Sequence, residues 1–524
     1  MDKGGILLSR RLPIFYSALL LTGVNLLLRL AGTSFQVYLS GRIGPEGIGL
    51  LQLVLSVGSL SLVAGIAGVR TAAMYLTAEE LGKNRTENVT HALSACFVYS
   101  ILCSSCAALI LYRLAPWLAD FWIGNTQTAG ALRLLAAFLP LTCLCCVMTG
   151  YFTAANRIGT LAAVEVAEQL CSMGLTMLAL KLWAGASAVR ACLCVILGSS
   201  LGSCLTLGCL MVLRQREHPK AGKAPQIGQR LCRIALPLAA ADILKAGIST
   251  AENLMVPKRL ARNPAVSNPL ASFGMVSGMT FPLLMFPACI LFGLAELLIP
   301  ELARCAAGGN ENRIQHLVRR SLKASLLYAL AVSGLLLLLA RSLCLRFYGS
   351  EEATLSLRRY APLIPMLYCD AIIDAMTKGL GQQRACVRYN ILTSAMDVGM
   401  LFVLLPRCGM QGYFLSFLIS HGVNFLLSLR RLLKISQVSL PLGTIGKALA
   451  SALLSYRIAA LASGTTASCA LFLILLGSLL WLLGVISSRD LNWLRGILGA
   501  KKTEPGRKPD SVILANYAFF FFLL

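Results

Sequence analysis

Apolar runs of membrane-spanning length follow one another along this chain, with only short polar stretches between them. They fall at about 13–39, 48–77, 90–114, 130–154, 159–183, 188–213, 233–256, 271–303, 322–345, 361–382, 386–406, 411–430, 441–462 and 466–487. A spanning helix needs about 20 consecutive apolar residues, so the runs predict about fourteen transmembrane helices. Only helices and closed barrels satisfy their backbone inside lipid, and runs of this length fit helices. Composition agrees: 57% of the residues are hydrophobic and 13% charged, against about 45–50% and 25% in soluble domains. The fold class is therefore an all-α polytopic membrane protein. A soluble enzyme and a disordered chain are excluded. The first run is too long for a signal-peptide core and reads as an uncleaved span.

The 47 Lys and Arg against 22 Asp and Glu give a net charge of +25. The basic residues concentrate in short loops, without a basic module rich in aromatics, so they read as topology signals beside acidic lipids rather than a nucleic-acid surface. With the N-terminus inside, the inner loops collect roughly 28 basic residues and the outer loops roughly 14, which puts both termini in the cytoplasm. Asn84 and Asn88 open glycosylation-type tripeptides, but they fall on the inner side.

Most of the 19 cysteines lie within apolar runs, as Cys143, Cys145 and Cys146 do, where cysteine acts as a small hydrophobe. Cys103 and Cys106 have redox spacing but no thioredoxin-like context. The four histidines show no metal-ligand spacing. Gly443, Gly446 and Lys447 imitate the end of a phosphate-binding loop, but Pro441 and Ala448 break its pattern. No nucleophile–base set, cofactor motif or metal site is visible, and no loop has room for an ATPase or glycosyltransferase domain. The chain reads as a non-enzyme, and any work it does must draw on an ion, potential or substrate gradient.

Internal symmetry appears at an offset of about 225 residues. Glu87, Asn88 and His91 match Glu311, Asn312 and His316, Pro140 matches Pro365, and Asn156–Arg157 match Gln383–Arg384. Pro13 and Pro237 follow an arginine at the start of spans one and seven. The expected organisation is an N-terminal six-helix lobe at 1–213, a cytoplasmic linker at 214–232 and a C-terminal six-helix lobe at 233–434. Helices 13 and 14 follow at 435–488, and a cytoplasmic tail at 489–524. Parallel repeats around a central cleft are a transporter architecture. The tail is basic from Lys501 to Pro509 and ends in a stretch from Ser511 to Leu524 that is too short to span.

A charge at the centre of a span costs about 2.5–3.5 kcal/mol on an insertion scale. Yet Arg29, Arg70, Glu165, Glu168, Asp242, Lys245, Glu252, Asp370, Asp374, Lys378 and Asp397 fall within the runs. They must face a wet cavity, pair, or lie near an interface. Glu165 and Glu168 sit near the inner end of span five, where solvated acids are ordinary, and Arg70 is close enough to the inner side to snorkel. Asp370, Asp374 and Lys378 share one helix face at successive steps of four. That face reads either as ion pairing between helices or as a gating and coupling element. Asp242, Lys245 and Glu252 fall near one face of span seven, at steps of three and seven. Arg29, Arg70 and Lys245, joined by Glu252, are the candidate substrate-binding residues. Converging cations would suit an anionic headgroup, because arginine binds phosphate oxygens bidentately. Gly41, Gly44, Pro45 and Gly47 punctuate the outer end of span one, as a plain turn or a hinge. Pro257, Pro282, Pro287 and Pro300 interrupt spans seven and eight in the same way.

Several stretches carry a resemblance to a known family. They are Gly41 to Leu50, Gly68 to Leu81, Glu252 to Leu260, Gly278 to Pro287, Lys378 to Gln383 and Arg388 to Ile391. Together they resemble the stage V sporulation protein B family, within the multidrug/oligosaccharidyl-lipid/polysaccharide exporter superfamily, over about residues 10–490. The resemblance implies a two-lobed, V-shaped helical fold with alternating access. It implies movement of lipid-linked peptidoglycan precursors across the bacterial cytoplasmic membrane for the spore cortex, with membrane lipids and cell-wall synthesis proteins as partners and no nucleic acid. It also implies that Arg29 and Arg70, and less directly Lys245, are cavity cations of the lipid II flippase type. Helices 13 and 14 would shape a groove for the lipid tail. The leading expectation is a flippase for polyprenyl-pyrophosphate-linked saccharides. Two readings stay open beside it: a multidrug/cation antiporter relying on acids such as Asp374, and a non-transport scaffold for cortex assembly.

Overall fold

The computed structural model describes residues 14–82, 86–155, 157–185, 187–215, 227–462 and 464–486. The extreme N-terminus, most of the expected linker and the C-terminal tail lie outside the described residues. Within them the chain forms helices and no strand, and each of the fourteen expected runs falls on helix. Two pairs of runs are continuous apart from one kink each. Helix α1 spans Ile14–Ile66 and breaks at Gly44, with φ 70°. Helix α14 spans Gln383–Ser436 and breaks at Gly409, with φ 57°. Eight described helical segments are long and apolar enough to cross a membrane alone, and a bent pair around Phe286 makes a ninth. The other expected spans are shorter or more charged. Helix α7, Ile227–Leu260, carries Arg233, Asp242, Lys245 and Glu252.

The remaining helices are α2 (Val69–Gly82), α3 (Thr86–Trp117, prolonged by a π turn to Ile123), α4 (Ala129–Ala154), α5 (Ile158–Ala179) and α6 (Ala188–Gln215). Next come α8 (Pro269–Gly274), α9 (Phe281–Met285), α10 (Cys289–Ala307), α11 (Glu311–Tyr348) and α12 (Glu351–Tyr360). The last are α13 (Ile364–Gly379), α15 (Leu442–Ala459) and α16 (Thr465–Leu482).

Packing divides the chain into two compact units. The first holds Ala31–Pro282 and Ile391–Ser420, and the second holds the residues up to Leu30, Leu283–Asn390 and those from His421 onward. The sequence repeat suggests a boundary near 214–232, whereas packing groups α7 with the N-terminal spans. In the first unit α2, α3, α4 and α7 close around Val69, Leu76, Leu93, Val147, Phe152 and Ala235. In the second, α11 packs against α10 and α13 on one side and α15 and α16 on another.

The glycines near Gly44 serve two ends. Gly44 kinks α1 with φ 70° and ψ 176°, a region that only glycine enters readily and that costs other residues about 1–3 kcal/mol. Of the four expected hinge residues it alone departs from helical dihedrals, while Gly41, Pro45 and Gly47 sit in helix on either side. Close approach is supplied elsewhere: a Cβ on Gly274 would lie 2.0 Å from the carbonyl oxygen of Pro45, and one on Gly49 would lie 2.3 Å from that of Leu270.

Helix breaks expose carbonyls that no lipid can satisfy. At three of the breaks a side-chain donor from the same unit covers a nearby carbonyl. The Tyr99 hydroxyl donates to Ala67 O at 3.2 Å, between α1 and α2. Pro287 has no N–H to give, and around this bend Tyr368 donates to Leu284 O at 2.7 Å and Tyr328 to Pro287 O at 2.8 Å. Asn263 Nδ2 donates to Pro406 O at 3.1 Å, ahead of the Gly409 kink. Gln36 Nε2 donates to Gly278 O at 3.0 Å, within the π turn at Met275–Thr280. Outward faces are apolar: Leu102, Leu182 and Trp183 are among the most exposed side chains. Many inward hydroxyls return to a carbonyl one turn back, as Ser61 does to Val57 O and Thr377 to Ile373 O, which hides the donor without a distant partner.

Two stability predictions follow from these contacts. Helix α16 seats the buried ring of Phe472 where α11 has no side chain, and a Cβ on Gly334 would come 2.1 Å from Phe472 Cζ. Gly334→Ala should lower thermal stability in detergent, by about 1–3 kcal/mol as in other overpacked cores, and adding Phe472→Leu should recover part of the loss. Tyr368→Phe leaves the Leu284 carbonyl unsatisfied and should cost about 1–3 kcal/mol, read in the same melting assay.

Candidate functional site

Arg70 sits in the first turn of α2, directly after a backbone break in which Ala67 and Gly68 both take positive φ. The turn is held from two sides. A Cβ on Gly150 of α4 would lie 2.6 Å from Arg70 O, and one on Gly68 would lie 2.6 Å from Ala235 O of α7. The side chain of Arg70 is exposed, and its guanidinium is close enough to interact electrostatically with Glu165 of α5 and Cys146 of α4. One helical turn beyond Glu165, the Glu168 Oε1 atom accepts a hydrogen bond from Ser203 of α6 at 3.0 Å. The sequence marks these two glutamates as ordinary solvated acids. The structure instead makes one of them the electrostatic neighbour of Arg70 and fixes the other between α5 and α6.

Helix α7 contributes the polar centre of the first unit. Thr250 Oγ1 donates to Ser56 O at 3.0 Å, and Asn253 Nδ2 donates to Ser56 Oγ at 3.0 Å. Both bonds tie α7 to the second half of α1. The Glu252 side chain hydrogen-bonds to Asp397 of α14. Asp397 is 6% exposed, and its Oδ1 accepts from Ser416 Oγ at 2.6 Å. Lys245 and Asp242 lie exposed on the same helix, nearer its start.

Side-chain contacts anchor the two ends of α7. Near its start, Arg230 pairs with the Glu79 carboxylate and reaches Glu80 Oε1 at 3.3 Å, both at the end of α2. The Asn88 amide donates to Glu80 Oε2 at 3.2 Å, so this asparagine, which opens a glycosylation-type tripeptide, serves here as a packing residue. At the other end, Lys258 Nζ donates to Phe121 O at 3.0 Å and stands 3.5 Å from the centre of that ring.

In the second unit, the Arg29 guanidinium lies 4.9 Å from the centre of the Phe292 ring on α10 and interacts with Cys289 and Tyr368. The side chain is exposed. Arg29 therefore rests against the same bend that Tyr328 and Tyr368 fasten. On α13 the expected face is present, and it pairs in two directions. Lys378 Nζ meets Asp374 Oδ2 at 2.5 Å within the helix. Asp370 turns to α14, where its Oδ2 accepts from Asn424 Nδ2 at 3.0 Å. Asp374 and Lys378 thus pair within one helix rather than between two.

Among the sequence candidates, the structure joins Glu252 to Asp397 and Asp374 to Lys378. Within their units it gives Arg29 and Arg70 separate surroundings. Three partners were not singled out from sequence: Ser203, Ser416 and Asn424. All are neutral polar residues in apolar runs, and hydroxyls or amides there most often bond locally. Among the described residues, no group of three or more His, Cys, Asp or Glu side chains is placed to hold a metal ion.

The comparisons with known proteins agree with this picture. The MatE family model matches residues 22–178. The chain is 23% identical over 416 residues to stage V sporulation protein B of Bacillus subtilis (strain 168), covering 75% of this chain and 78% of that protein. It is 20% identical over 411 residues to sporulation protein YkvU of the same organism, covering 77% and 87%. In fold it is similar to the lipid II flippase MurJ in an inward closed conformation, with TM-score 0.66 and 13% identity, over 91% of this chain and 99% of that one. It is also similar to an inward-facing multidrug resistance MATE family transporter of the MOP superfamily, with TM-score 0.61 and 15% identity, over 81% and 100%. The family resemblance read from the sequence is borne out: this is a multi-pass helical membrane protein with the transporter fold of MurJ and the MATE proteins, and its residues 22–178 match MatE.

Proposed function

We propose that this chain is a flippase for polyprenyl-pyrophosphate-linked saccharides, moving a peptidoglycan precursor across the bacterial cytoplasmic membrane by alternating access. The observation that carries this reading is the placement of Arg29 and Arg70. Both are exposed cations within apolar spans, one resting on Phe292 and the other held at the Gly68 break. An arginine inside a span is costly unless it serves a polar ligand or a wet cavity. A pyrophosphate offers the oxygen pairs that guanidinium groups bind two at a time. Lys245 adds a third cation. Glu252 supports the site through Asp397, keeping α7 fastened to α14, and Asp370, Asp374 and Lys378 form its coupling element. Gly44 is the hinge of the outer gate. The likeness to stage V sporulation protein B supports a precursor for the spore cortex and cell-wall synthesis proteins as partners. The charge bias supports both termini in the cytoplasm.

A second reading, a cation antiporter of the same fold, is favoured by one observation: carboxyl groups stand among the intramembrane polar groups, with Glu165 beside Arg70 and Glu252 beside Asp397. The two readings separate in one assay. Purified protein in liposomes should translocate a fluorescent lipid-linked peptidoglycan precursor, scored by its protection from an external reagent. Hydrogen bonds to charged groups are worth about 1.5–3 kcal/mol, so Arg29→Ala and Arg70→Ala should each slow translocation roughly ten- to hundred-fold at normal insertion. Wild-type rates in both variants, together with drug-cation efflux, would select the antiporter instead.

The fastening role of Glu252 has its own check. Glu252→Gln can still donate to Asp397 and should keep the wild-type melting temperature and most of the transport. Asp397→Leu deprives both Ser416 and Glu252 of their partner and should lose about 1–3 kcal/mol of stability. A Glu252→Gln variant that melts normally yet does not transport would return Glu252 to direct substrate contact.

A further inference from the structure

One end of the first unit collects cations that its own acids leave unmatched. Lys258 of α7 donates to Phe121 O at 3.0 Å, which ties the end of α7 to the turn after α3. Asn263, just past α7, donates to Pro406 O at 3.1 Å, which brings the Gly409 kink of α14 to the same place. Lys258, Arg262 and Arg407 are exposed, and Arg259 is half-buried. Arg259 and Arg262 are close enough for their like charges to interact. Among the described residues, the ion pairs join other side chains and leave these cations out. Asp120 precedes Phe121 in the chain, and Glu46 accepts from Asn268 at 3.1 Å; neither pairs with one of the cations. On the orientation proposed above, this end faces outward. The positive-inside rule places Lys and Arg at the opposite end, so topology does not account for this group.

Aromatic rings support the cations where carboxylates do not. Lys258 Nζ stands 3.5 Å from the centre of the Phe121 ring and 5.3 Å from that of Trp122. The Arg259 guanidinium lies 3.2 Å over the Phe402 ring. Phe121 in turn stacks on Trp117, with ring centres 5.4 Å apart. A ring face attracts a cation but leaves its charge in place. The depth of the rings follows from what flanks them. Before them on α3, Leu109, Ile110 and Leu114 are exposed apolar side chains. After them the chain turns at Gly124 in left-handed backbone and enters the polar turn of Asn125, Thr126 and Gln127. On α14, Phe402 and Val403 are exposed about one turn before Arg407. Exposed apolar residues, then half-exposed rings, then polar residues mark the level where hydrocarbon meets headgroups, and Trp collects there. The cations therefore stand at the depth of lipid phosphates.

We propose that this end of the first unit is a docking surface for anionic phospholipid headgroups, with Lys258, Arg259, Arg262 and Arg407 supplying the charge and the rings beside them fixing the depth. A lipid phosphate is the anion that fits. It is already held at the level of the rings, and its acyl chains meet the exposed apolar residues below. A soluble anion would leave those rings and apolar side chains without a partner. The inference concerns the lipid around the unit and does not depend on which substrate the chain carries.

Trp117 and Trp122 can report on this surface directly. In the full chain with Trp183→Phe, Trp481→Phe and Trp493→Phe, they are the two of the five tryptophans that remain. The protein is placed in phosphatidylcholine bilayers containing phosphatidylglycerol, and one lipid or the other carries brominated acyl chains, which quench a neighbouring tryptophan. At equal mole fraction, brominated phosphatidylglycerol should show a several-fold higher relative affinity than brominated phosphatidylcholine, and high salt should reduce the difference. Arg262→Gln with Arg407→Gln should lower the preference at an unchanged melting temperature, because neither side chain makes a hydrogen bond among the described residues. Adding Lys258→Gln and Arg259→Gln should abolish it. That variant gives up the Phe121 contact, so the double variant carries the test if it does not fold. Equal quenching by the two lipids in the wild-type surface would overturn the proposal. So would a preference that the double variant leaves intact, or one that soluble glycerol phosphate abolishes, which would make this a site for a free anion. The readout contains no transport step, so failure of the flippase reading would leave the lipid site standing.

Discussion

Lipid offers no hydrogen bonds, and the rest of this structure follows from that constraint. A continuous helix satisfies its own backbone, but a transporter built only of continuous helices would have no place for a charged ligand and no point at which to bend. This chain breaks its helices at Gly44, Ala67–Gly68, Phe286–Ala288 and Gly409. At three of these four breaks, a tyrosine hydroxyl or an asparagine amide from the same unit covers a carbonyl close to the break. The donors are amphipathic or neutral, so each reaches a carbonyl without bringing a charge into an apolar setting. The breaks in turn position the cations: Arg70 follows the one at Gly68, and Arg29 rests on the segment after the one at Pro287.

Charges inside the spans are handled in three ways. Some are cancelled locally, as Lys378 cancels Asp374 one turn away. Some are shared between helices, as Glu252 and Asp397 share a hydrogen bond that also takes in Ser416. The arginines are left exposed within their units, one against an aromatic face and one near an acid. An electrostatic element with a local partner needs nothing further to be stable. An exposed guanidinium in an apolar span can meet a wet cavity or a charged ligand, which is the ground for the substrate role proposed above for the arginines.

How much of this was legible beforehand depends on the range of the interaction. The spans were, because an apolar run of sufficient length has few alternatives. The kink in α1 was too, because glycine followed by proline is a local instruction. The shared face of Asp370, Asp374 and Lys378 was too, because its members stand four residues apart, though not which of them pair. Asn424, Ser416 and Ser203 were not. A hydroxyl or amide in an apolar run most often bonds one turn back along its own helix, and nothing in the local pattern separates those that reach another helix. In the sequence Glu165 and Glu168 look solvated, because their depth is visible there and their neighbours are not.

The amino-acid sequence by itself determined that this is a multi-pass helical membrane protein, roughly where its helices run, that the chain breaks near Gly44 and Pro287, and which ionisable residues lie within the spans. These follow from transfer free energies and backbone geometry, which act over one or two turns. Only the tertiary structure decided the partners: α7 packed with the N-terminal spans, Glu252 joined to Asp397, Phe472 seated over Gly334, and Asp370 turned to Asn424. Those depend on which helix faces meet, and in an apolar medium that choice is made by close packing and by a few polar contacts far apart in the chain.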